Sequence, residues 1–69
     1  MSTTASVWFT RFGDRAKVVI IPTWGWPNVV HTSLDETGLR FARNVAAARG
    51  VELKIEEPLQ ELVASWSAP

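Results

Sequence analysis

Three short β-branched and aromatic runs open the chain, and two apolar stripes at helical spacing follow, separated by one strictly alternating segment. The first run, Ser6-Val7-Trp8-Phe9-Thr10-Arg11-Phe12, leads into the turn signal Gly13-Asp14-Arg15 and then into Lys17-Val18-Val19-Ile20-Ile21 before Pro22. β-Branched and aromatic side chains suit a pleated surface, and a Gly-Asp pair between two such runs predicts a β-hairpin. Residues 22–28, Pro-Thr-Trp-Gly-Trp-Pro-Asn, hold two prolines, a glycine and an asparagine, so they form a connecting loop although two indoles lie within it. Val29-Val30-His31-Thr32 then makes a short third strand.

Ser33 with Glu36 three residues later has the spacing of a capping box, in which hydroxyl and carboxylate each satisfy a free backbone N–H, so a helix is expected to open there. Its apolar positions are Leu34, Gly38, Phe41, Ala42 and Val45, with Leu39 at the margin and Arg40, Arg43 and Asn44 toward the other side. Asp35 and Glu36 complement the positive end of the helix dipole, Arg49 complements the negative end, and Gly50 can take the left-handed conformation that ends a helix. Val51-Glu52-Leu53-Lys54-Ile55-Glu56 alternates as a half-buried strand requires, with Val51, Leu53 and Ile55 toward the core. After Pro58, an N-terminal helix residue, Leu59, Leu62, Val63 and Trp66 form the stripe of a C-terminal amphipathic helix. The expected fold class is α+β: one domain over residues 1–69, a small antiparallel sheet ordered β-β-β-α-β with that helix after it, and a flexible stretch at 1–5.

Composition narrows the chemistry. Sixty-nine residues with 46% hydrophobic side chains make one small globule. Without cysteine there is no thiol nucleophile, disulfide or Cys-zinc site, and a single histidine leaves no partner imidazole for a metal cluster. His31 reads as a hydrogen-bonded surface or edge residue. Asp35 and Glu36 serve a helix start, as do Glu56 and Glu57, and the four glycines are isolated, so no carboxylate dyad or phosphate loop is formed. The chain is therefore expected to be no enzyme and to need no cofactor or metal. No apolar run nears the roughly 20 residues that span a bilayer, so a cytoplasmic protein without membrane contact is expected.

Net charge is zero, which disfavours nonspecific nucleic-acid binding, but its distribution is uneven. Residues 1–50 carry three more basic than acidic side chains and residues 51–69 three more acidic than basic, a pattern that arranges charge within the fold or meets an oppositely patterned partner.

Four tryptophans are the most unusual feature. Trp8 and Trp66 lie on regular elements and read as core. Trp24 and Trp26 either fold over an open sheet face or form a contact site, since aromatic anchors dominate many interfaces. The first two strands carry large groups on both sides while one helix covers one face, so the C-terminal helix, the Trp loop or a second subunit must cover the other. A homodimer or heteromer is expected. Trp8 and Phe12 beside Arg11 and Arg15 also have the makings of a single-stranded nucleic-acid platform.

A strand ending in Pro22, then Pro27-Asn28, Val29-Val30, Ser33-Leu34-Asp35-Glu36 and a helix body Arg40-Phe41-Ala42-Arg43-Asn44-Val45-Ala46 follow one another in an order that resembles the N-terminal domain of the HicB antitoxin family. The resemblance runs from about Val7 to Glu56, with Trp24-Gly25-Trp26 in place of that family's short acidic loop and a shorter stretch from Asn28 to Ser33. It implies a partial ribonuclease-H-like arrangement and a toxin ribonuclease as partner. The 69 residues hold no ribbon-helix-helix or helix-turn-helix segment, so it implies protein binding rather than operator binding. The expected function is a non-enzymatic module that binds and occludes a partner protein, a toxin or a host enzyme, in the manner of an antitoxin or a phage inhibitor. Trp24, Trp26 and Trp8 would be its anchors, with Arg11, Arg15, Arg40 and Arg43 supplying charge complementarity. The alternative is an RNA or single-stranded nucleic-acid binder using an aromatic sheet face.

Overall fold

The computed structural model describes residues 5–67; for residues 1–4 the expected flexibility lies outside the described residues. Strands β1 (Ser6–Phe12), β2 (Arg15–Ile21) and β3 (Asn28–Thr32) precede helix α1 (Glu36–Ala48), and strand β4 (Leu53–Ile55) precedes helix α2 (Glu57–Ser67). The fold class is α+β, with one four-stranded sheet ordered β3-β2-β1-β4.

β1 and β2 pair antiparallel from Ser6 opposite Ile21 to Phe12 opposite Arg15, leaving Gly13-Asp14 as a two-residue turn. Gly13 has φ +64 and Asp14 does not have a positive φ, the pattern of a type II′ turn, whose twist matches that of the flanking strands. β2 pairs antiparallel with β3, Val18 opposite Val30. β4 departs from the antiparallel expectation by joining β1 in parallel, Trp8 opposite Lys54. The cause is topological. β3 runs parallel to β1, so a chain that crosses from the β3 edge to the free edge of β1 through a helix arrives in the same direction as it left.

Strand period decides which residues meet. Val7, Phe9, Ala16, Val18 and Ile20 point to one face and form a buried cluster with Leu39, Ala42 and Ala46 of α1 and Leu59 and Val63 of α2. Leu53 and Ile55 pack against that cluster, as does Trp66, whose ring meets Phe9 edge-on at 6.3 Å and 81°. Both helices therefore lie on the same face, and α1 sits chiefly over β1 and β4.

Two local expectations are corrected. The N-cap of α1 is Asp35 and not Ser33: the Asp35 carboxylate accepts the Gly38 N–H at 3.0 Å and the Ser33 hydroxyl at 2.8 Å, so Ser33 supports the cap from outside. The buried stripe is Gly38, Leu39, Ala42 and Ala46, while Phe41 turns to the flank and is 37% exposed. Small residues face the sheet because the helix start lies tight against the strand before it: a methyl group on Gly38 would overlap the Ser33 carbonyl oxygen. The other end follows expectation. Gly50, at φ +67, donates to the Ala47 carbonyl at 3.1 Å and Val51 to that of Ala46 at 3.0 Å, the paired bonds of a Schellman motif.

The Asp35 carboxyl is held below its ordinary value, first by the Gly38 N–H and then by the Ser33 hydroxyl. A group whose native pKa is lowered stabilises the fold above its unfolded value, about pH 4, and loses that contribution as pH falls through the native value. Asp35→Ala is expected to lower Tm at neutral pH, and the gap from the wild type to narrow at an acid pH below the native value of the carboxyl, where it is protonated and the cap weakened. Thermal melts of both chains at the two pH values check this.

Candidate interaction surface

The second face of the sheet carries no helix. Its strand positions are Ser6, Trp8, Thr10 and Phe12 on β1, Arg15, Lys17, Val19 and Ile21 on β2, Val29 and His31 on β3, and Lys54 on β4. One row runs Val29, Val19, Trp8, Lys54 across all four strands. Within it the Lys54 ammonium lies 5.6 Å from the Trp8 ring centroid, and the indole N–H donates to the Ser6 hydroxyl at 3.1 Å. Nearer the hairpin, the Phe12 ring meets His31 edge-on at 5.1 Å and takes the Lys17 ammonium 5.5 Å from its centroid, although Phe12 itself is 56% exposed.

The face is thus half apolar and entirely basic in its charged strand positions. Arg15, Lys17 and Lys54 lie on it and no carboxylate does, although the chain as a whole is neutral. The nearest acids flank it: Asp14 at the hairpin tip, and Glu52 and Glu56 on either side of β4. Glu56 serves the backbone there, its carboxylate accepting the Arg11 N–H at 3.2 Å while its own N–H donates to the Phe9 carbonyl at 3.2 Å. These two bonds, one between backbones and one to the side chain, prolong the β1–β4 ladder where the strand ends.

Trp24 and Trp26 lie in the loop between β2 and β3, and they are 91% and 89% exposed. Pro22 and Pro27 bracket this loop and Gly25 between the indoles has φ +103, a conformation that a side chain would oppose. The loop does not fold back over the sheet, and α2 packs on the other side, so among the described residues nothing covers the second face.

Comparison with protein-family models, curated proteins and solved structures finds no match. The surface must speak through its own residues.

Of the positions singled out from the sequence, Trp8 and Arg15 share the open face, and Trp24 and Trp26 extend beyond its far end. β2 separates the loop from the hairpin by six residues, about 20 Å at the usual rise of a strand. Arg11 is on the helix-side register at the hairpin, opposite Ala16, and its guanidinium Nε donates to the Gly13 carbonyl at 2.7 Å. Arg40 and Arg43 are not brought to this surface: they line a groove on the helix side with Glu36, Leu39 and Trp66. Phe12 is on the open face as the platform expectation had it, whereas Lys17, His31 and Lys54 were missed. The signal that finds them is register. Once Trp8 is set opposite Val19, alternation alone carries Lys17 and Lys54 to the same side.

Proposed function

We propose that the chain is a small, non-catalytic interaction module that binds a partner protein through the Trp24/Trp26 loop and the adjoining open sheet face, and that it acts in the cytoplasm. The observation that carries this is the near-complete exposure of two indoles on a loop bracketed by prolines. Each indole offers about 150–250 Å² of surface. At about 25 cal/mol per Å² that leaves roughly 4–6 kcal/mol of hydrophobic stabilisation per residue unused in the free chain. Aromatic residues of this kind are the anchors of interfaces, and the basic rim from Lys17 to Lys54 steers an acidic partner surface toward them. On the sequence resemblance to the HicB antitoxin N-terminal domain, the partner class would be a toxin ribonuclease. A host enzyme blocked in the manner of a phage inhibitor fits the same surface. Self-association is part of the proposal, because an uncovered sheet face and edge invite a second copy.

One observation favours a second reading: aromatic rings and cations lie against one another on the open face, Lys17 over Phe12 and Lys54 over Trp8, the composition of a single-stranded RNA or DNA platform. Affinity capture at low and high salt with the wild type and with Trp24→Ala/Trp26→Ala separates the two. A protein retained by the wild type at both salt levels and lost by the variant supports the partner-binding module. Nucleic acid bound at low salt, released at high salt and indifferent to the loop substitutions overturns it, because phosphate contacts weaken steeply with ionic strength.

A further inference from the structure

The sheet has two edges, and the chain treats them differently. β4 has three residues, its flanks carry Glu52 and Glu56, its one outward-face residue is Lys54, and the Glu56 carboxylate occupies the next N–H of β1. Short length and charge are the usual means by which an edge strand is kept from pairing. β3 has none of these protections. It runs five residues, Asn-Val-Val-His-Thr, with no carboxylate, lysine, arginine or internal proline. Helix α1 stands chiefly over β1 and β4, and the open-face side chains of β3, Val29 and His31, are exposed. Its outer row of backbone N–H and C=O groups is a template for another strand.

We infer that the strand which fills this edge is β3 of a second copy, paired antiparallel about a two-fold axis at Val30 to give a continuous eight-stranded sheet. The residue pattern is self-complementary about that point. Asn28 falls opposite the second copy's Thr32, Val29 opposite its His31, and Val30 opposite its counterpart. Polar side chains thus meet polar ones, an aliphatic group meets an imidazole ring, and no two formal charges are opposed. The flanking β2 rows stay in step, since Lys17 pairs with His31 and Val19 with Val29 within each copy. Lys17 of one copy therefore shares its row with Val19 of the other, and the basic groups do not stack. The dimer leaves the Trp24/Trp26 loop of each copy free, so one assembly would present two partner sites on one extended sheet.

This inference rests on the proposed self-association but not on who the partner is. Sedimentation velocity over a concentration range tests it on three chains: wild type, Val29→Lys/His31→Lys, and Trp24→Ala/Trp26→Ala. Both β3 substitutions are at exposed side chains and would set like charges opposite one another across the axis. The wild type is expected at twice the 7.7 kDa chain mass, the lysine variant at the chain mass with its cooperative melt retained, and the loop variant still dimeric. A dimer lost in the loop variant and kept in the lysine variant overturns the β3 assignment while self-association stands. A wild type that stays monomeric to its solubility limit overturns both. Should the lysine variant not fold, Val29→Cys/His31→Cys keeps the question open to test, because the chain has no other cysteine. Oxidation to a covalent dimer through residues 29 and 31 is expected, and a covalent dimer no faster formed than at an exposed cysteine pair placed on α1 contradicts the pairing.

Discussion

Phe9→Ala is expected to unfold the domain. Phe9 has no exposed surface, sits on the central strand β1, and touches both layers of the core: Val18 lies opposite it in β2 and Trp66 of α2 meets its ring edge-on. Removing a buried phenylalanine costs about 3–5 kcal/mol, from lost transfer free energy and from the cavity left behind. A chain of 69 residues has about 3–10 kcal/mol in total at the usual stability per residue. The loss is therefore comparable with everything the fold has. It also strips α2 of the ring that Trp66 packs on, and an eleven-residue helix does not persist alone in water. Circular dichroism and near-ultraviolet melts should show the variant without a cooperative transition at 25 °C or with one displaced by tens of degrees, at about 4–8 °C per kcal/mol for a domain of this size. A Tm within a few degrees of the wild type would mean that the two helices are not held by this face of the sheet.

The loop substitutions are expected to do the reverse. Trp24→Ala/Trp26→Ala removes two side chains that touch little of their own chain, so stability should change by no more than about 0.5 kcal/mol, the range of ordinary surface changes. Partner affinity should fall steeply. An aromatic anchor desolvated at an interface costs about 2 kcal/mol or more when truncated. Each substitution should then weaken binding by a factor of roughly 30, and the pair by about a thousand if the two act independently. Calorimetric titration of a captured partner against the wild type and each variant measures the effect. A loss of Tm together with unchanged affinity would return both indoles to the protein's own core.

Most of the fold was legible in the pattern. The hairpin, the six elements in order, the glycine that ends α1 and the stripe of α2 all follow from local rules that tertiary contacts did not override. What local rules could not supply was relative placement. Whether β4 joins β1 in parallel depends on which edge the chain reaches, and that is a property of the whole sheet. The rotation of α1 was misjudged for a related reason. Phe41 is the largest apolar residue of that helix, yet the start of the helix is fixed by Asp35 and by the close approach of Gly38 to Ser33, and the buried side holds Gly38, Leu39 and two alanines.

The candidate surface was legible in parts. Trp24 and Trp26 declared themselves through their setting among prolines and glycine. The basic character of the open face stayed hidden, because Lys17 and Lys54 lie 37 positions apart in a neutral chain and come together only through the register of three strands. Arg40 and Arg43, adjacent to a helix stripe in sequence, belong to the opposite side of the molecule.

The Trp loop is held in water by the free protein and takes no part in its core. Acrylamide quenching of tryptophan emission, compared between the wild type and Trp24→Ala/Trp26→Ala with a thermal melt of each, tests this without knowledge of the partner. The expected result is that the red-shifted, readily quenched part of the emission disappears in the variant while the melt is unchanged, leaving the less readily quenched emission of the half-buried Trp8 and Trp66. Blue-shifted, poorly quenched emission lost together with several degrees of Tm would contradict it, and would mean that the loop closes the open sheet face as part of the fold.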